Sequence, residues 1–306
     1  FEYATWLRPS TGNGHSDAQN SHIRESGVAG DKLMDGAVHV QNAHFITFEG
    51  NRFSRLGSIG LKTDEGTQDS LVVGNVFTDI SGSAVSVGDV SNDQKETTDP
   101  RKLNRNNDVK NNLINRVAVD YFSAAAVSAG YPVDMDIAHN EIGDVPYSGL
   151  HIGYGWATSA SSNTRNVRIQ NNLIHDVMQK LNDGGNIYTL GTTGGSASQP
   201  GIVSGNYLLR DHDVGQGSIY FDEGSNYWHA YDNVVETTPN FVHIWTKTIH
   251  DIAVDGTYTN TPKLVNNGTN TTVTDTKLYE NAEWPSEALT IITNAGLQPE
   301  YRRLRP

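Results

Sequence analysis

Residues 48–61, FEGNRFSRLGSIGL, and residues 72–87, VVGNVFTDISGSAVSV, are two copies of one phrase. Each has an apolar residue, a small or polar residue, Asn, a short apolar strand, a polar gap and a second apolar strand. The phrase returns as VKNNLINRV at 109–117, IAHNEIGDVPYSGLHI at 137–152, IQNNLIHDV at 169–177, VSGNYLLRD at 203–211 and HAYDNVVET at 229–237. The asparagines Asn51, Asn75, Asn112, Asn140, Asn172, Asn206 and Asn233 are spaced by 24, 37, 28, 32, 34 and 27 residues. A coil of about two dozen residues carrying loops of variable length accounts for that series. Asn tolerates left-handed backbone at a corner, and its amide can bond the next Asn in a stack. The flanking Val, Ile, Leu and Phe alternate as strand residues do. The fold class is therefore all-β, a right-handed parallel β-helix with loop insertions and a short C-terminal capping segment. A sandwich or a propeller also has many short strands, but a propeller needs longer repeats and no fixed Asn corner.

Working outward, residues 1–36 read as an irregular N-terminal segment and 37–306 as the β-helix domain with its tail. Coils run from about Ala37 to Trp245. Loops are expected at Val90–Asp108 (charged, with Pro100), Ala157–Asn166 (Ser/Thr-rich) and Thr192–Gln199 (Gly/Ser-rich), where they could frame a cleft. SEALTIITNAGL at 286–297 is expected to form a helix that caps the open solenoid end. The chain begins at Phe1 with neither initiator Met nor signal sequence, so a processed piece of a longer stack is expected. An N-terminal segment or second chain of the same precursor would then be a partner.

The chain has 306 residues, 30 of them Gly, with 36% hydrophobic and 19% charged residues and a net charge of −13. That balance speaks against a nucleic-acid partner, which needs a basic face. It also makes a strongly anionic polysaccharide less favourable. No Cys is present, which removes disulfides, thiolate nucleophiles and Cys-based zinc sites. No apolar run reaches 18 residues, so no membrane partner is expected. A secreted or periplasmic location is the expectation.

Four later strands align: SGLHIG at 148–153, GGNIYTL at 184–190, GSIYFDE at 217–223 and NFVHIW at 240–245. With Leu150, Ile187, Ile219 and Val242 inward, His151, Tyr188, Tyr220 and His243 point outward in a row. Two residues on come Gly153, Leu190, Asp222 and Trp245. Coils stack about 4.8 Å apart, so the row forms a strip suited to sugar rings. A plain stack of outward aromatics that stabilises the sheet would look the same. Asp183 precedes Gly184–Gly185, where the backbone can bend tightly or approach a ligand. Asp222 and Glu223 end a strand before Gly224. Paired carboxylates are the equipment of glycosidic cleavage, although a single Asp beside Gly is more often a turn residue. Asp211 and Asp213 compete for the role, and Asp213 belongs to the loop stacked beside that of Asp183. His212 between them lacks a second ligand group, so no metal or other cofactor is expected.

The runs NEIGDVPYSGLHIGYGW, NNLIHDVMQKLNDGGNIYTLG, GIVSGNYLLRD, SIYFDEGSNYW and DNVV, with the upstream NAHFITFEGNRFSRLGSIGL and VVGNVFTDISGSAVSVGD and the final AGLQPEYRRL, resemble the β-helical glycoside hydrolases near glycoside hydrolase family 141. The resemblance covers about His39 to Leu304. It implies a fucosidase- or xylanase-type hydrolase with two catalytic carboxylates. The matching positions are Asp183 in NDGGNIY and Asp222 in YFDEG, with Glu223 as substitute for the latter. His151, Tyr154, Trp156, Tyr188, Tyr220, His243 and Trp245 would bind the carbohydrate substrate. Family members carry a further N-terminal region that is absent here. Two other readings stay open: a polysaccharide lyase using His151 or Tyr188 as base, and a non-catalytic carbohydrate-binding or adhesive β-helix. A difficulty attends the pair. Seven strand steps of about 3.3 Å between the Asp183 and Asp222 positions exceed 20 Å, too far for glycosidase carboxylates.

Overall fold

A computed structural model describes residues 1–4, 22–23, 32–156 and 160–306. The chain is a right-handed parallel β-helix with three parallel sheets of nine strands each. One coil is Gln68–Val73 in the first sheet, Val76–Ile80 in the second and Val85–Val87 in the third. The next coil repeats it as Arg105–Lys110, Leu113–Val117 and Val127–Ala129. The pairing is in register throughout. In the third sheet Leu61, Val85, Val127, Leu150, Ile187, Ile219 and Val242 stack on one another, all inward and fully buried. Side chains alternate across a strand, so one correct inward residue per coil places its neighbours outward.

The asparagines stand at the corner between the first and second sheets. Each gives both its backbone N–H and its side-chain Nδ2–H to Oδ1 of the next, from Asn51 to Asn75, then Asn112, Asn140, Asn172, Asn206 and Asn233, at 2.8–3.2 Å. The ladder asparagine is not itself left-handed, contrary to expectation. The residue before it is: Gly50, Gly74, Asn111, His139, Asn171, Gly205 and Asp232 all have φ between 51° and 67°. The corner thus divides its work. One residue turns the chain and the next supplies the amide that satisfies the turned backbone.

Two loop and end expectations change. The 90–108 insertion is not simply exposed. It holds a short helix, Asn92–Glu96, in which Gln94 and Lys95 are buried, and the Asn163 amide donates to the carbonyls of Gln94 and Thr97 at 3.1 Å. The helix Ser286–Asn294 does not cap the open end. It lies on the outer side of the second sheet, packing on Val234 and Tyr258 through Ala288. The chain then runs back along the solenoid: the Gly296 N–H meets the Asn171 carbonyl at 2.8 Å, and the Gln298 N–H meets Asn111 Oδ1 at 3.0 Å. An amphipathic helix gains more from a flat apolar sheet face than from strand edges, which need backbone partners. At the other end, Glu2 adds a parallel bridge to Ser54, and Phe1 stacks on Phe53 at 4.7 Å. Most of the expected irregular segment 1–36, and residues 157–159 of the second loop, lie outside the described residues.

Candidate active site

The third sheet is narrow where it matters. Its strands Leu150–Ile152, Ile187–Thr189, Ile219–Phe221 and Val242–Ile244 are three residues each. His151, Tyr188, Tyr220 and His243 pair in register as one outward file. Loops entering the strands form one wall and loops leaving them form the other. Between the walls lies a cavity of about 280 Å³, lined by Trp156, Asp183, Gln216, Tyr220, Asp222, Glu223, His243 and Trp245.

All four rings are buried, 0% to 9% exposed, but only Tyr220 and His243 line the cavity. His151 and Tyr188 have 0% exposure and Tyr154 7%. Tyr131, Tyr154 and Leu190 pack over Tyr188, with His151 edge-on to it at 4.7 Å. These three expected substrate-binding residues therefore form a layer behind the cavity. The reason is volume: the loops after the upstream strands are long enough to fold back and bury a ring that points out of the core. Trp156 and Trp245, 43% and 41% exposed, stand at the cavity's surface, and Tyr154 meets Trp156 edge-on at 5.4 Å.

Asp183 and Asp222 come from opposite walls. Asp222 follows its strand, and its N–H is given to the Thr189 carbonyl at 2.9 Å. Three donors converge on its carboxylate. The Trp245 Nε1–H reaches Oδ1 at 2.5 Å, the Glu223 N–H reaches Oδ1 at 2.7 Å, and the Tyr188 hydroxyl donates to Oδ2. Such a set suits an anion. Asp183 precedes its strand and sits left-handed at φ 69°. Its carbonyl accepts the Tyr147 hydroxyl at 2.6 Å, its N–H goes to Asp213 Oδ2 at 2.8 Å, and its Oδ1 accepts the Tyr220 hydroxyl at 3.1 Å.

The 20 Å difficulty disappears here because the segment before Ile187 is not strand. The chain turns at Asp183, and Gly184 and Gly185 pass close under neighbouring coils. A Cβ on Gly185 would lie 2.2 Å from the Gly217 carbonyl, and one on Gly184 would lie 2.8 Å from the Tyr147 ring. The glycine pair serves coil packing rather than a ligand's approach. The Tyr220 hydroxyl stands between the two acids and interacts with both.

Burial pushes the Asp183 carboxyl above its usual range, the negative charges of Asp222 and Asp213 add to this, and the bond from Tyr220 opposes it. Burial likewise drives the Tyr188 and Tyr220 hydroxyls far up, so both remain donors. Burial holds His243 below the ordinary imidazole range, against the pull of Asp222 and Asp213. Its Nδ1 is buried without a hydrogen-bond partner. Among the described residues no group of three His, Asp or Glu side chains is arranged to hold a metal.

The structure thus brings together Asp183, Asp222, Glu223, Tyr220, His243, Trp156 and Trp245 and leaves His151, Tyr154 and Tyr188 behind them. Sequence reasoning missed Gln216 and Tyr147. Their one available signal was position, in the loops stacked on either side of the Asp183 loop. A second cavity, about 320 Å³, lies on the second sheet beneath the C-terminal strap. It is larger, but its lining carboxylate, Glu141, is already bound by Arg305 at 2.6 Å, so it lacks a free acid pair.

No protein-family model matches the chain, and no curated protein sequence does. Among solved structures, one described as a glycoside hydrolase is 28% identical with a TM-score of 0.71, over 99% of this chain and 50% of that one. The chain therefore spans half the length of that glycoside hydrolase. An alginate lyase of the PL6 family is 11% identical with a TM-score of 0.47, over 78% of this chain and 34% of that one.

Proposed function

We propose that the chain hydrolyses a glycosidic bond, with Asp183 as general acid and Asp222 as the opposing carboxylate. The observation that carries this is the Tyr220 hydroxyl set between two acids whose surroundings differ in kind. Divergent environments are how one site keeps one acid protonated and another ionised. The similarity to a glycoside hydrolase supports the reaction class. Membership of glycoside hydrolase family 141 is part of the proposal and rests on the motif runs quoted above.

A sugar ring lies against Trp156 and Trp245, whose faces accept the C–H side of a pyranose. Asp183 gives its proton to the glycosidic oxygen as the bond from the anomeric carbon breaks, and the aglycone leaves neutral. Asp222 faces the positive charge that develops on the ring, and water then adds to the anomeric carbon, leaving its hydroxyl on the freed sugar and passing its proton to a carboxylate of the pair. Glu223, at the same rim, is the substitute for Asp222. With Asp183 as acid, the rate falls as pH rises through its raised pKa, because the proton it must donate is gone. The cavity lining holds three carboxylates and neither Lys nor Arg, which favours a neutral sugar. A lyase acting on a uronate would need a cation there. The cavity is at the small end for ligand sites, which suits one ring at the point of cleavage.

The test is a panel of aryl glycosides, fucosides and xylosides included, with reducing-end release measured for native protein, Asp183→Asn and Asp222→Asn. Loss of turnover in both variants is expected. Full activity in both on a cleaved substrate sinks the assignment, and unsaturated products seen by ultraviolet absorbance indicate a lyase instead.

A further inference from the structure

We propose that Asp213 is a positioning residue for Asp183, holding its backbone in the left-handed conformation and keeping a negative charge behind its carboxyl. This rests on the reading of Asp183 as general acid. Asp213 is 6% exposed and lies outside the cavity lining, so it does not touch a bound sugar. Its carboxylate accepts three backbone N–H groups: Asp183 at Oδ2 (2.8 Å), and Gly215 and Gln216 at Oδ1 (2.8 and 3.0 Å).

The last two bonds are those of any Asp that closes a local turn. The first is not, since it spans 30 residues and crosses to the neighbouring coil. It meets the one backbone donor of a residue with φ 69°, a left-handed backbone that is uncommon outside Gly and that Asp tolerates better than most L-residues. Gln216, which lines the cavity, hangs from the other oxygen of the same carboxylate. Asp213 is itself held, as its N–H is given to Asp211 Oδ1 at 3.0 Å. One buried carboxylate therefore ties the acid, a cavity-lining amide and the adjacent loop together.

The charge acts on Asp183 as well. The ionisable groups around the Asp183 carboxyl are Asp222 and Glu223 from the far wall, Tyr220 and His243 from the floor, and Tyr147 and Asp213 from its own wall. Among these Asp213 is an anion that faces Asp183 without facing the cavity. It raises the cost of ionising Asp183 without competing for substrate.

Asp213→Asn tests this, because an amide of the same shape removes the charge and can present only one acceptor atom. Carboxyl-labelled Asp183 followed by carbon NMR should titrate at lower pH in the variant than in the native protein. This readout needs no substrate. On the aryl glycoside that the native protein cleaves, kcat should fall at least tenfold with a phenyl leaving group and far less with a dinitrophenyl one, which needs little proton donation. The basic limb of the pH profile should move down with the titration. A general loss of structure would lower both substrates alike. If Asp213→Asn fails to fold, the native protein answers instead: the Asp183 amide proton should shift with ionisation of Asp213, and an amide blind to it overturns the proposal. A folded variant with native titration and native leaving-group dependence also overturns it. Should Asp183→Asn keep native turnover, the reading of Asp183 as acid falls, while the NMR titration still decides whether Asp213 acts on Asp183.

Discussion

Seven asparagines stack at one corner of the solenoid, and four rings of two kinds follow one another on the floor of the third sheet. Both files follow the same parallel register, one residue per coil. At the corner every rung repeats the last, so each amide finds its acceptor in the next coil and each donor is used. On the floor, imidazole, phenol, phenol and imidazole follow one another, and their polar tips turn away from the stack. Tyr188 bonds Asp222 and Tyr220 bonds Asp183. Farther up the same sheet the file is Lys62, Ser86 and Ser128, all buried, with Lys62 paired to Asp64 at 3.0 Å. Repetition closes hydrogen bonds within the stack. Departure from repetition leaves groups to point elsewhere, and in the described residues this happens most where Asp183 and Asp222 converge.

The contrast can be broken from either side. The largest effect should come from the floor. Asp222→Asn is expected to lower kcat on the cleaved aryl glycoside at least 10³-fold, about 4 kcal/mol of barrier, while the urea midpoint stays near native. A native rate would detach the floor from catalysis. The corner should answer in the opposite currency. In Asn140→Ala two acceptor bonds from Asn112 and two donor bonds, to Val109 and Asn172, are lost inside the protein. Stability to urea should fall by about 3 kcal/mol, with turnover at low temperature unchanged. A fall in turnover without loss of stability would erase the distinction.

Asp211 sharpens the comparison, being a buried acid in the second sheet that repeats nothing. Burial pushes its pKa up to about 7, the bond from the Asp213 N–H opposes this, and the charge of Asp213 adds to it. Its Oδ2 has no partner. The folded state therefore keeps this proton to higher pH than the unfolded chain does. Its contribution is full below about pH 4 and is lost as pH rises through about 7, by about 4 kcal/mol. Denaturation of native protein and Asp211→Asn across that range should show the native curve falling and the variant's flatter. Parallel curves would remove the effect. The smallest change is Trp245→Phe, which keeps a ring and deletes one donor to Asp222. A five- to tenfold loss of kcat is expected, about 1 kcal/mol, with a modest change in KM. A loss confined to KM would make Trp245 a binding surface alone.

Much of the fold was legible because the stack imposes a local rule. A corner amide must bond the same amide one coil away, so Asn recurs, and an inward residue must fill the same core, so Val, Ile and Leu recur. The register of His151, Tyr188, Tyr220 and His243 follows from that rule. The burial of His151 and Tyr188 does not, because it depends on loops that obey no period. The left-handed turn residue was misplaced by one position, since Gly, Asn, His and Asp all serve there and no single letter marks it. The end helix was misassigned for a related reason: an amphipathic stretch reveals that it has an apolar face, not which surface receives it.

The residues by themselves determined the solenoid, its asparagine corner, the row of outward rings and the acids Asp183 and Asp222 as candidates. Only the tertiary structure decided that those acids line one cavity, that His151 and Tyr188 lie outside it, and that Asp213 reaches across to Asp183. Backbone pairing repeats every coil and so writes itself into the sequence. The meeting of two walls over a three-residue strand is set by how non-repeating loops turn and pack, and no period records it.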